Sequence, residues 1–115
     1  MRTLHQANLD ESGRTALRTA ADAIHRSCPW VSRVVLFGSY ARGEAWVDSD
    51  MDLLVLTSRP VSRAERHAIT GALSPLGRNL GVMFSTLVAD EESWSRGVYR
   101  VLPIHAEIER DGVAA

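Results

Sequence analysis

The sequence predicts a small α/β (α+β) fold, a mixed β-sheet flanked by helices, in one domain spanning residues 1–115. Segments with apolar residues at helical spacing alternate with short β-branched runs bounded by glycine or proline. The run Leu53–Leu56 is apolar on both faces, as a central strand must be. Gly38-Ser39 ends one strand and the Asp50/Asp52 pair opens the next, so these two groups meet only if the strands are antiparallel neighbours.

Each element follows from its own residues. Leu17, Ala20, Ala21, Ile24 and Cys28 recur at helical spacing, predicting an amphipathic helix from about Asp10 to Ser27 that Pro29 stops. "VSRVVLFG" reads as a strand closed by Gly38. A short helix then runs from Ser39 to about Gly43, followed by the loop "EAWVDS" and the strand "MDLLVLT". Ser62 and Glu65 have capping-box spacing for a helix from about Arg63 to Leu73. Pro75, Gly77 and Gly81 break the chain before a third strand, "VMFSTLV". Asp90, Glu91 and Glu92 suit the first turn of another helix. A last helix containing Ile104 and Ile108 ends at Gly112, with Pro103 at its start or kinking it.

Composition excludes several function classes. Net charge is −1, with no block of like charge, so neither nucleic acid nor a membrane surface is an expected direct partner. All 13 positive charges are arginines, which excludes P-loop and Schiff-base chemistry that depends on lysine. Cys28 is the only cysteine, ruling out an internal disulfide and a cysteine-based zinc cluster. His5, His25, His67 and His105 lack ligand spacing. Without a signal pattern or a long apolar stretch, a cytoplasmic location is expected.

The chemistry concentrates in "GSYARGEAWVDSDMDLLVL", residues Gly38 to Leu56. Asp50 and Asp52, one residue apart at a strand entrance, project from the same face, roughly 6 to 7 Å apart. A divalent cation relieves their repulsion, and Mg2+ commonly takes one or two carboxylates with water and substrate phosphates as its other ligands. Gly38 closes the strand and Ser39 begins a helix, so the first N–H groups there lack partners and face outward, a place for phosphate. The Ser39 hydroxyl adds a donor and Arg42, one turn along, adds charge.

These residues resemble the signature G-S-x10-D-x-D of the minimal nucleotidyltransferase (MNT) domain of the DNA polymerase β superfamily. Gly38-Ser39, ten residues, then Asp50-Met51-Asp52 match it, and "VVLFGSYARGEA" and "SDMDLLVL" extend the likeness over about Val34 to Leu56. The resemblance implies a nucleotidyltransferase-like fold and transfer of a nucleoside monophosphate from ATP or another NTP to an acceptor hydroxyl, with pyrophosphate leaving. It assigns the metal to Asp50 and Asp52 and the triphosphate to Gly38, Ser39 and Arg42, with Asp50, Asp52 and Ser39 as the catalytic set. Relatives usually supply a third carboxylate from the next core strand. Here alignment of "GVMFSTLV" puts Ser85 at that position, with Thr86 beside it. Glu44 and Asp48 lie in the loop near the site, where they either compensate or are solvated surface acids. Asp90, Glu91 and Glu92 read as helix-start acids.

Short proteins similar to this family include antitoxins paired with HEPN-type ribonuclease toxins, some of which add AMP to their toxin. The resemblance therefore implies an AMP-transferring antitoxin with a HEPN-type partner. Ser85 motivates the alternative of a weak or inactive module that neutralises its partner by masking it. Trp46 stays open between a base, a partner and an edge-of-core position, whereas Trp30 and Trp94 are expected to pack. Tyr40 carries no mark of reactivity, and Arg63, Arg66, Arg96 and Arg100 are expected on solvated helix faces.

Overall fold

The computed structural model describes residues 1–46 and 48–115; Val47, in the expected loop, lies outside the described residues. Helix α1 (Glu11–Ser27) starts where the Asp10 carboxylate accepts the Gly13 N–H at 2.7 Å, and it buries Leu17, Ala20 and Ile24. Strand β2 (Val31–Phe37), the single turn α2 (Gly38–Ala41) and strand β3 (Met51–Thr57) follow. Helix α3 (Arg63–Gly71) carries the expected Ser62–Glu65 capping box. Strand β4 (Phe84–Asp90) leads into α5 (Glu91–Ser95), then a 3-10 turn at Val98–Val101, and finally α6 (Pro103–Asp111), with Pro103 in its first turn.

The sheet order is β1-β5-β2-β3-β4, where β1 is Arg2–Thr3 and β5 is Val113–Ala114. β2 and β3 are antiparallel while β3 and β4 are parallel, so the sheet is mixed and β3 is interior, as expected. β1 and β5, absent from the sequence expectation, are two-residue strands too short for any periodicity to show. Alternation along the strands splits the core into two layers. Val34, Leu36, Leu53 and Val55 pack with Leu17, Ile24 and Ile69 from α1 and α3. Val35, Leu54 and Leu56 pack with Trp94 and Ile108 from α5 and α6.

Several expectations need correction. The segment of Pro75, Gly77 and Gly81 is not a break but a further helix, α4 (Ser74–Leu80). Pro75 occupies the first turn, where its missing N–H is harmless, and Gly81 at φ +67° ends the helix. Gly77 is needed because α4 presses on the following chain: a Cβ there would lie 2.7 Å from the Val82 carbonyl oxygen. α3 consequently ends at Gly71 rather than Leu73, and β4 begins at Phe84 rather than Val82. Trp94 is fully buried and donates to Glu109 at 3.1 Å, but Trp30 lies at the surface beneath the Arg59 guanidinium, 3.7 Å from its ring centroid. Arg66 does more than face solvent, donating to the Val88 carbonyl at 3.1 Å.

Asp90 caps α5, accepting the Ser93 N–H at 3.0 Å and its hydroxyl at 2.7 Å. These bonds from Ser93 hold the Asp90 carboxyl below the usual range. A carboxylate depressed in the folded state adds stability above its unfolded pKa and loses it as pH falls through the folded value. Asp90→Ala is expected to cost about 1 kcal/mol in urea unfolding at neutral pH, with the difference from wild type shrinking as the solution is acidified.

Candidate active site

The antiparallel register of β2 and β3 sets Phe37 opposite Asp52, which delivers Gly38 to the Asp52 carboxylate. Gly38 adopts φ +76°, and a Cβ on it would lie 3.1 Å from Asp52 Cγ and 3.4 Å from Asp52 Cβ, with the Oδ2 atom closer still. Both the backbone conformation and the space therefore require glycine. Helix α2 starts at Gly38, one residue earlier than expected, and stops at Ala41 instead of reaching Gly43. The Ser39 carbonyl accepts the Glu44 N–H at 2.9 Å, folding the following loop back over the turn.

Asp52 is half-buried and Asp50, just ahead of β3, is exposed. Burial pushes the Asp52 carboxyl up, and the negative charges of Asp50 and Glu107 add to this while Arg42 opposes it. On the other side of β3, the parallel register pairs Asp52 with Ser85, whose side chain shares its face. Thr86 points to the opposite face. Among the described residues, no three His, Cys, Asp or Glu side chains group as metal ligands.

Arg42 is not a free cation awaiting phosphate. Its guanidinium donates to Glu44 at 2.6 Å and to Glu107 at 3.0 Å. Glu44 is therefore occupied by Arg42 rather than added to the carboxylate pair. Arg2 reinforces the same corner, donating to the carbonyls of Ala41 and, at 2.7 Å, of Asp111. Glu107 and Arg2 escaped sequence reasoning because only the closed fold brings them to α2, across 65 and 109 positions respectively in their bonds to Arg42 and Asp111. Beside α2, Tyr40 and the exposed Trp46 help line a cleft of about 520 Å3 that reaches Asn8 and Asp10.

The residues fit one Mg2+ ion. Two hard carboxylate donors share a strand entrance, one disfavoured in its charged form by burial and by its neighbour, which a bound cation would reverse. At the β4 position beside Asp52, Ser85 offers only a neutral hydroxyl.

A glycine turn thus lies against Asp52 on β3, with Asp50 two residues ahead of it. Residues 17–100 match the family described as "Nucleotidyltransferase domain", well over half of the sequence, and the chain belongs to that family. It is 33% identical over 58 residues to "Putative protein adenylyltransferase MJ0141" of Methanocaldococcus jannaschii. That match covers 50% of this chain and 59% of the relative, so the chain spans little more than half of the relative's length. The fold is similar to a toxin-antitoxin crystal structure with AMP-PNP, with TM-score 0.58 at 17% identity, covering 87% of this chain and 69% of the other. A mutant of the toxin-antitoxin MntA-HpeT gives TM-score 0.53 at 15% identity, covering 81% and 66% of the respective chains.

Gly38→Ala is expected to destabilise the protein by about 1–3 kcal/mol, read by urea unfolding, because the new methyl meets Asp52 in a left-handed backbone. Asp52→Asn acts in the opposite sense. A carboxyl raised in the folded state penalises folding once pH rises through the folded value, and the penalty vanishes below the unfolded value. At neutral pH without divalent cations Asp52→Asn is expected to raise the unfolding free energy, read by urea unfolding, by less than about 1 kcal/mol, the effect being limited because the group is partly solvated.

Proposed function

We propose that the protein is a Mg2+-dependent nucleotidyltransferase that moves AMP from ATP, or another NMP from its NTP, to a hydroxyl on a protein partner. The partner in this reading is a HEPN-type toxin, for which the chain acts as antitoxin. The close approach of Gly38 to Asp52 carries the proposal, because it joins a backbone open to phosphate with a carboxylate that gains from a cation. Family membership supports the reaction class, the adenylyltransferase-named relative supports AMP as the transferred group, and the toxin-antitoxin similarities support the partner.

In this reading the N–H groups of α2 and the Ser39 hydroxyl hold the triphosphate against the sheet end. Asp50 and Asp52 would hold Mg2+, which when bound would neutralise charge on the phosphates and the leaving group. Arg42 either adds charge from its position against Glu44 and Glu107 or exchanges one of them for phosphate. The acceptor oxygen attacks the α-phosphorus, its proton passes to solvent, and the bond to the β-phosphate breaks to release pyrophosphate. With Ser85 rather than a carboxylate at the β4 position, deprotonation of the acceptor is the step least assisted by the described residues.

Ser85 beside Asp52 favours a second reading, in which nucleotide chemistry is weak and the chain neutralises its partner by masking it. ATP labelled at the α-phosphate, supplied with the protein from the neighbouring gene, separates the two. Transfer of label to that partner, abolished in Asp52→Ala, is expected for the enzyme. Neutralisation that survives Asp50→Ala and Asp52→Ala without any label transfer selects masking.

A further inference from the structure

We propose that the outer edge of β4, with the groove between it and α4, receives an extended, acidic segment of the acceptor protein as an added strand. This deepens the transferase reading by naming how the acceptor is held.

β4 is the terminal strand of the sheet. Met51 N–H donates to the Met83 carbonyl at 2.8 Å, so residues 83, 85, 87 and 89 direct their backbone groups to β3. By alternation Phe84, Thr86 and Val88 direct theirs outward. Arg66 occupies the Val88 carbonyl, closing that end of the edge, while the Phe84–Thr86 end lies beside the aspartates. An unpaired edge of this kind is a template for another strand.

Side-chain alternation then distributes the incoming segment between two environments. Alternate residues enter a groove of about 590 Å3 walled by Leu73, Gly77, Val82 and Phe84, with Met83, 71% exposed, also lining it. The residues between them emerge on the face of Ser85 and Asp52. From the added strand to β3 is two strand spacings, roughly 10 Å, and Ser85 is the one side chain between. Its small size leaves a path for a long hydroxyl side chain to reach the Asp52 end of the sheet, a path that a carboxylate bound to metal would narrow. Arg78 is the charged residue lining the groove, and among the described residues no carboxylate pairs with it. Charge complementarity at Arg78 therefore selects an acidic over a basic residue in the part of the segment that enters the groove.

The test uses the full chain labelled with 15N, titrated with the peptide acetyl-Glu-Val-Tyr-Val-Asp-amide and, separately, with Mg-ATP. Expected are peptide-induced shifts confined to residues 77–86, with affinity for a peptide carrying Lys at both ends weaker by on the order of tenfold. Arg78→Glu, a surface change, should reverse that preference, and Thr86→Pro should abolish binding by removing an outward N–H. Mg-ATP shifts at Gly38–Asp52 with no peptide response overturn the docking site while leaving the transferase reading standing. Peptide shifts without an Mg-ATP response support docking and remove the nucleotide reading. Peptide shifts elsewhere overturn the proposal. So does concentration-dependent broadening of residues 84–88 in the peptide-free protein, which would give the edge to a second copy of the chain.

Discussion

The antiparallel pairing of β2 with β3 is the constraint on which the site depends. It sets Phe37 against Asp52, and this register makes the residue after Phe37 a glycine in a left-handed conformation with a carboxylate over its Cα. A slip of one residue would turn Asp52 into the layer of Leu17 and Ile69 and bring Leu53 out of it. The same apolar alternation that fills both cores therefore also aims the carboxylate. Core packing and site geometry are one specification, written twice in the same seven residues.

Around that pairing the sheet end is asymmetric. On the β2 side the chain supplies a positive turn and a clamped arginine, and on the β4 side it supplies a serine and an open edge. Polar groups that hold the arginine come from Glu44 in the loop and Glu107 on α6, so the conformation of Arg42 reports on whether α6 is seated. The β2 side of the sheet end is thus tied to the helical layer behind the sheet. The β4 side carries Ser85 and the outer edge, whose Val88 carbonyl accepts from Arg66 on α3.

Much of this was legible in the sequence wherever the signal was local. The α1 periodicity, the Ser62–Glu65 cap, the doubly apolar β3 and the strand-ending Gly38 each lie within a few residues of their cause, and the antiparallel geometry followed from asking two half-motifs to meet. Local reasoning failed where tertiary contact reverses a residue's usual meaning. Gly77 reads as a breaker but serves a close approach of α4 to Val82, and Pro75 is harmless in a first turn. Trp30 reads as core but lies under Arg59. Arg42 reads as free charge until Glu107, far along the chain, is brought against it.

The difference between local and distant contacts also divides the site in time. The Gly38–Asp52 approach closes a short loop within a hairpin, a low-contact-order event that costs little chain entropy. The Arg42–Glu107 and Arg2–Asp111 bonds span 65 and 109 positions, and nearly the whole chain must be in place before they form. A chain emerging in synthesis would carry its paired aspartates while Arg42 had Glu44 within reach but not yet Glu107. The distant bonds then act as a late latch, slowing unfolding more than they speed folding.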